Sequence, residues 1–476
     1  MSVPQSKFRW VAYATLVAAG LAAFWPSVAF DFVNWDDPAY VLNNDLIKSW
    51  SPSNLLGVAT ETVTRNFAPL TILSLLIDHS LWGLNPSGYH ATNVLLHIVN
   101  GVLVFLLLRQ LTGNTFIAWV TAALFLVHPV QIETVAWISS RKGLLSATFM
   151  LAALLARLKP EVTGKNDALF VVWLAAALLS KALAVVLPAI VLCYDVWVRR
   201  QKFADAFPRQ IIPGVMCLLL LLKTMASQHS ILGGVRGHLG YSIWHIMAID
   251  TTILWRYIGM LCWPTKLSVL YNPATTGIAS LVAVATIGWI VVATLFWKFR
   301  NRYPLILWAA VTFLLLLFPV LNFFKITTLM NDRYLYLPCI IFFAVVSAGL
   351  HRLLNVSDTA ASEVVRHLTT GLRWSIGVSA VCCAFFATSL HLPVWQNAHT
   401  LWTHAMTRVP EIPVVRIQMA HTLHDAGQGR EAIRTLQLAL LNTEPDDLDR
   451  QRIVKAIHEW QDELKARSAA RVLSRR

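Results

Sequence analysis

Apolar runs long enough, or nearly long enough, to cross a hydrocarbon layer recur near residues 10–30, 88–111, 115–135, 142–158, 167–181, 182–198, 209–226, 278–298, 304–320, 334–350 and 373–391. In lipid every backbone N–H and C=O must be satisfied within the protein, so such runs specify helices, and they are too long for barrel strands. The expected fold class is all-α: a polytopic membrane helical bundle of about 11 spans. Charged residues make up only 13% of the chain, against about 25% in an ordinary globular domain. The net charge of +14 does not mark a nucleic-acid binder, because the Lys and Arg lie mostly in short loops, as membrane topology requires.

The six cysteines (Cys193, Cys217, Cys262, Cys339, Cys382 and Cys383) lie in apolar segments without metal or redox spacing. They read as small core residues rather than a disulfide framework. Lys7 and Arg9 ahead of a run ending Ser27-Val28-Ala29 have the form of a signal peptide. An uncleaved first span is the better reading, because it tethers the acidic loop that follows.

Basic residues set the orientation. With a cytoplasmic N-terminus, Lys7/Arg9, Arg109, Arg157/Lys159/Lys165, Arg199/Arg200/Lys202/Arg209, Lys298/Arg300/Arg302 and Arg352/Arg366/Arg373 fall on one side. Residues 227–277 then stay outside, and the apolar piece 246–263, which carries Asp250 and Arg256, is expected to be interfacial or re-entrant. Charges that topology does not explain land together on the outer face. These are Asp36 and Asp37 in the first external loop (31–87), Arg141 and Lys142 in the next turn, Lys181, and the later pair Asp332 and Arg333.

Each set has a bland reading beside a chemical one. Asp36-Asp37-Pro38 can be a solvated turn, or one acid can act as a general base while the second tunes its pKa or holds an acceptor. Arg141 and Lys142 can be snorkelling anchors, although a basic pair outside opposes the positive-inside trend. In "YHATNVLLHIVN" (89–100), His90, Asn93, His97 and Asn100 form one polar stripe at helical spacing, which must face the bundle interior and for which interhelical hydrogen bonding is the commoner role. Pro129 breaks the helix after His128 and turns Glu133 toward the outer surface. Arg333, next to Tyr334 and Tyr336, needs an anionic partner near hydrocarbon, expected to be Asp332 or an anionic ligand. Acids and several cations on one outer face suit a lipid-embedded anionic substrate, such as a polyprenyl phosphate, better than an ion pathway.

From about 395 the chain turns polar and periodic. Residues 414–447 have the 34-residue length of a tetratricopeptide repeat, with a Gly427/Gly429 turn, Ala432, Ala439 and Pro445. The stretch 396–408 reads as the second helix of an incomplete repeat, and 448–466 as a following helix. The organisation expected is a membrane domain over 1–394 and a tetratricopeptide-like helical tail over 395–476. A tail this short leans on the membrane domain or a partner.

Six segments in order carry a resemblance: "FVNWDDPAYVLNN", "APLTILSLLIDHSLWGLNPSGYHATNVLLHIVN", "LFLVHPVQIETVAWISSRKGLLSATFMLAALL", "LLSKALAVVLPAIVLCYDVW", "LCWPTKLSVLYNP" and "NDRYLYLP". Over roughly residues 30–345 the chain resembles the transmembrane-and-tetratricopeptide-repeat O-mannosyltransferase family, whose fold is the GT-C glycosyltransferase type. The resemblance implies a polyprenyl-phosphate-linked sugar donor, an outward-facing active site, and inverting transfer to a protein hydroxyl, glycan or lipid acceptor. It makes Asp36 the base and Asp37 its orienting or acceptor-binding neighbour. Arg141, Lys142, Lys181 and Arg333 become the donor-phosphate grip. His90, Asn93, His97, His128, Glu133 and Asp332 remain polar residues of substrate-binding or structural role. No metal ligands are assigned, and a divalent cation is left open. Gly143 and Ala68 depart from the family pattern, and a single full repeat weakens protein O-mannosylation as the specific reaction. A bacterial inner membrane, with site and tail facing the periplasm, is the expected location. The alternatives are a transporter or flippase, and a non-catalytic scaffold that recruits partners through the tail.

Overall fold

The computed structural model describes residues 5–64, 66–159, 161, 163–232, 241–323, 328–355, 363–443 and 448–473; Pro445 of the repeat pattern lies outside them. The described residues form α1 (Gln5–Phe24), α2 (Pro52–Thr60), α3 (Pro69–Trp82), α4 (Pro86–Thr112), α5 (Thr115–Val127), α6 (Ile132–Ala136), α7 (Arg141–Arg157), α8 (Gly164–Ser180), α9 (Leu187–Cys193) and α10 (Phe203–Ala206). They continue with α11 (Ile211–Leu232), α12 (Ile243–Cys262), α13 (Ala279–Phe299), α14 (Pro304–Leu317), α15 (Pro338–Leu354), α16 (Glu363–His391), α17 (Ala398–Arg408), α18 (Pro413–Asp425), α19 (Gly429–Leu440) and α20 (Leu448–Leu473). No strand occurs among the described residues beyond one isolated bridge, Val63 to Asn66. The fold is all-α.

Among the described residues, six helical segments are long and apolar enough to cross a membrane, and the bent pair Thr115–Val127 with Pro129–Ala136 makes a seventh if it is one span. The bend of 54° sits where Pro129 removes a backbone donor and clashes with the preceding turn. Three further apolar helical stretches, Ala182–Val198, Pro304–Val320 and Pro338–Leu354, are shorter. On α13 the side chains of Leu281, Val284, Ile287, Ile290, Val291 and Leu295 all face outward. A continuous apolar face of this kind suits lipid and would be a liability in water.

Helix α4 is the axis of the core. Asn85 caps its first turn with Pro86 at the first helical position, and Gly113 (φ 64°) ends it in the left-handed conformation that glycine adopts at low cost. It packs on α1, α5 and α7. At Gly101 the α5 side chain Leu126 comes so close that no Cβ fits. Helix α7 is clamped at both ends by buried ion pairs: Arg141 with Asp78 at 2.7 Å, and Arg157 with Asp195 at 2.7 Å and Asp167 at 2.8 Å.

Two expectations change. The run expected over 334–350 becomes helical at Pro338, because Asp332–Leu335 form a separate 3₁₀ turn and proline is well placed only in a first turn. The run 182–198 is not one regular helix: it passes from a 3₁₀ turn through α9 to a π turn. The interfacial piece 246–263 is most of the 20-residue α12, whose Asp250 is buried and accepts hydrogen bonds from Asn322 N and Nδ2 at 3.1 and 2.6 Å.

The tail is helical where the repeat pattern expects it. Helices α18 and α19 form a hairpin through Gly427 (φ 78°), flanked by α17 and α20, and α20 runs on to Leu473. The first loop docks on this tail. Asn34 Nδ2 donates to Gln418 O (3.1 Å) and Thr422 Oγ1 (3.0 Å), and Trp402 Nε1 donates to Asn34 Oδ1. The rings of Trp35 and Trp402 meet edge to face at 5.3 Å.

Candidate active site

The two acids of the first loop have opposite environments. Asp37 is buried and held: Oδ2 accepts from Val33 N at 3.0 Å, while Oδ1 accepts from Ser139 N at 3.0 Å and from Ser139 Oγ. Burial raises its pKa from the ordinary 3.8 to about 6, against the lowering effect of those bonds. Asp36 keeps 32% of its side chain exposed, with Lys142 Nζ at 3.7 Å. One acid thus anchors the loop to the 138–140 turn ahead of α7, and the other stays free to meet a ligand.

Lys142 also lies 4.5 Å from the ring centre of Tyr40 and 3.2 Å from its hydroxyl. Trp137, buried and contiguous with this turn, has Lys142 Nζ at 5.9 Å and the Arg333 guanidinium at 5.4 Å from its ring. Lys181 is close enough to Lys142, Arg333 and Glu133 for their charges to act on it, and Asp36 acts in turn on Arg333. Among the described residues no carboxylate lies within ion-pair distance of Lys181. Asp36, Lys142, Lys181, Arg333 and Glu133 therefore form one charged group around an aromatic ring, although the chain brings them from four separate segments.

The Arg333 partner is not Asp332. The Nη1 of Arg333 is bound to Glu133 Oε1, and its backbone N donates to Glu133 Oε2 at 2.9 Å. Asp332 instead accepts a hydrogen bond from the hydroxyl of Tyr271. Burial, reinforced by the neighbouring Glu133 charge, holds the Asp332 pKa well above the carboxylate range. Consecutive residues in a 3₁₀ turn point away from one another, so Asp332 and Arg333 reach different partners.

Arg141 is placed differently from the other cations. Its side chain is fully buried, with Asp78 Oδ2 2.7 Å from Nη2 as an ion pair, Tyr89 O accepting from Nη2 at 2.8 Å, and Asn93 Oδ1 accepting from Nε. This guanidinium is neutralised inside the bundle, behind the open cluster.

Three residues of the polar stripe of α4, Asn93, His97 and Asn100, are woven into interhelical hydrogen bonds. Asn93 Nδ2 donates to Val135 O (3.3 Å) and Trp137 O (3.1 Å), bracing the broken α5–α7 connection. His97 bonds Tyr336 Oη (2.9 Å) and Leu126 O (3.1 Å), and Asn100 Nδ2 donates to Leu144 O and Tyr336 Oη. His90 is buried beside the ring of Phe30. His128 accepts from Val130 N at 3.3 Å and packs on Phe343, so it caps the turn that Pro129 creates. The stripe and His128 lie behind the charged cluster, apart from Asp36.

Several participants escaped the sequence reading: Asp78, Trp137, Ser139, Tyr40 and Tyr271. Asp78 had a usable signal, a lone acid inside the apolar "LTILSLLIDHSLW". The acids beside Asp36 are already engaged, and among the described residues no three His, Cys, Asp or Glu side chains are placed to hold a metal.

No family model matches the chain. Among curated proteins it is similar to mouse protein O-mannosyl-transferase TMTC1, with 34% identity over 154 residues covering 30% of this chain and 16% of that protein. It is similar to a protein O-mannosyl-transferase of Caenorhabditis elegans, with 25% identity over 444 residues covering 88% of this chain and 60% of that one. Drosophila melanogaster Tmtc1 matches at 36% over 171 residues, covering 34% and 20%. These alignments span less than two thirds of each relative's own length. Among solved structures, the Archaeoglobus fulgidus oligosaccharyltransferase tethered to an acceptor peptide gives a TM-score of 0.49 at 9% identity, covering 90% of this chain and 59% of that one. ArnT from Cupriavidus metallidurans bound to undecaprenyl phosphate gives 0.42 at 11%, covering 93% and 82%.

Proposed function

We propose that the chain is a membrane glycosyltransferase that moves a sugar from a polyprenyl-phosphate donor to an acceptor hydroxyl at the outer membrane face. The observation that carries this reading is the half-open Asp36 carboxylate, 3.7 Å from Lys142 and near enough to Arg333 for its charge to act there, with Lys181 close to both cations. A base and a set of fixed cations in one place suit inverting transfer. Asp36 takes the proton of the acceptor hydroxyl as its oxygen bonds to the anomeric carbon. The bond from that carbon to the donor phosphate oxygen breaks on the opposite side, and the electron pair leaves on the lipid phosphate. Lys142, Lys181 and Arg333 meet the negative charge as it builds there; one preorganised donor at such a position is worth about 3–4 kcal/mol. Arg141 and Asp37 then act through others, the first by holding α7 on Asp78, the second by holding the loop on Ser139. The similarity to protein O-mannosyl-transferases supports mannose as the first sugar to try and protein hydroxyls as first acceptors.

The test uses purified protein in nanodiscs with a panel of polyprenyl-phosphate sugars, wild type beside Asp36→Asn. The wild type is expected to release or transfer one sugar, while Asp36→Asn binds the same donor without turnover. Full turnover by Asp36→Asn overturns the base, and no binding of any polyprenyl phosphate overturns the donor class.

A further inference from the structure

A cavity of about 410 Å³ lies between α4, α7, α14 and α15, within the size range of small-molecule sites. Its walls are almost entirely apolar, with Leu107 and Leu111 from α4, Met150 and Leu154 from α7, and Ala344 and Ala348 from α15. The two alanines sit one helical turn apart and leave a trough that larger side chains would fill. The trough follows α15 from Leu337, four residues after Arg333, to Arg352. At about 1.5 Å per residue it extends roughly 22 Å, more than half the hydrocarbon thickness of a bilayer.

Its far end is cationic. The ring of Tyr303 lines the cavity mouth and carries two guanidinium groups, Arg352 at 5.0 Å and Arg302 at 5.7 Å. Both arginines are exposed, and among the described residues neither has a carboxylate within ion-pair distance. Two unneutralised cations fixed over one ring, at the mouth of an apolar trough, match an amphiphile with an anionic head. The cations sit at the end away from Asp36, so the headgroup they suit belongs to the opposite leaflet and not to the sugar donor.

We propose that this trough holds one acyl chain of an anionic phospholipid, its phosphate on Arg352 and Arg302 at the leaflet opposite the active site. Basic pockets between membrane helices bind anionic headgroups in this way, with a preference of roughly 5-fold per arginine. A chain so placed would fill the gap between α7 and α15, the helices that carry Lys142 and follow Arg333. The inference is independent of the sugar chemistry proposed above.

The test is native mass spectrometry of the full chain released from micelles containing equal phosphatidylglycerol and phosphatidylcholine, comparing wild type, Arg352→Gln and Ala348→Phe. Wild type is expected to retain phosphatidylglycerol at least ~5-fold over phosphatidylcholine. Arg352→Gln, an exposed change that leaves the core intact, should reduce that ratio toward one. Ala348→Phe should lose both lipids while its melting temperature shows that the protein is folded. Equal retention of the two lipids by wild type, or an unchanged ratio in Arg352→Gln, overturns the proposal. Displacement of phosphatidylglycerol by added polyprenyl phosphate, one for one, also overturns it and gives the trough to the donor.

Discussion

The guanidinium of Arg333 is bound to the carboxylate of Glu133, two residues 200 positions apart in the chain. The pair joins the 3₁₀ turn before α15 to α6, the short helix beyond the Pro129 break. Only 1% of the Glu133 side chain and 16% of that of Arg333 is exposed, so each charge depends on the other for its loss of water.

Removing either partner alone is therefore expected to destabilise the protein by about 3–5 kcal/mol, because a charge is left buried and unpaired. Glu133→Gln with Arg333→Met together should cost less than the sum of the single changes. A double-mutant cycle on thermal unfolding in detergent checks this; additive effects would mean that the pair does not couple. Donor binding separates the two residues further, since Arg333→Met should weaken it at any stability.

Arg141 and Asp78 should behave as structure alone. Arg141→Ala is expected to lose about 3–5 kcal/mol of stability, with Asp78 stranded in the bundle. In whatever folded fraction survives, donor affinity should match wild type. Arg141→Met with Asp78→Leu should recover most of the folded protein. A large fall in donor affinity in that folded double variant would move Arg141 into the phosphate site.

Asp37 gives a pH signature. Its folded pKa of about 6 lies above the unfolded 3.8, so the folded state holds the proton more tightly. The stability this contributes is complete below about pH 4 and is lost as pH rises through 6. It amounts to about 3 kcal/mol by proton linkage. Melting temperature measured from pH 4.5 to 7.5 should show this slope, and Asp37→Asn should flatten it. Ser139→Ala removes a donor to the charged form, so it should move the inflection above pH 6 and lower stability at neutral pH by about 1–3 kcal/mol.

Two glycines on adjacent helices should give opposite results. Gly143 has open surroundings: an added Cβ would sit 3.8 Å from Lys181 Nζ and Ser140 Oγ, ordinary contact distances. Gly143→Ala should then raise stability by up to ~1 kcal/mol through helix propensity, with turnover unchanged. Gly101→Ala drives a methyl into Leu126 and should cost about 1–3 kcal/mol. Thermal melts of the two variants side by side decide it; equal effects would refute the close approach of α4 and α5.

The parts of this architecture legible in sequence are those written locally. Apolar runs located the helices, Pro129 the break, and the Gly427 turn the hairpin of the tail. Pairings across the bundle were not legible in the same way. Asp332 stands next to Arg333 and looked like its partner, but backbone geometry points the two apart and Glu133 arrives from another helix. Arg141 and Lys142 looked like one basic pair. Being adjacent on a helix they face different directions, so one enters the bundle toward Asp78 and the other stays at the surface beside Asp36. The aromatic centre at Trp137 carried no signal, since a tryptophan near a membrane surface is ordinary.

The contact between first loop and tail yields the last prediction. Asn34 is two residues before Asp36, and its amide is gripped from three directions by Gln418, Thr422 and Trp402. The tail thereby holds the N-terminal side of the acidic loop, while Ser139 holds Asp37 from the membrane domain. Trp402→Phe leaves an aromatic ring against Trp35 but removes the indole donor together with part of a fully buried side chain, so the part-buried Asn34 amide oxygen loses one bond and a small cavity opens. That should cost about 1–3 kcal/mol globally. Locally it should speed amide hydrogen exchange across residues 31–37 well beyond the change in the helices of the bundle. If the proposed base is right, turnover falls with that loosening while donor affinity stays constant, because Lys142, Lys181 and Arg333 stand on other segments. Unchanged exchange at 31–37 in Trp402→Phe would mean that the tail does not position the loop, and any role left to it would be in binding partners.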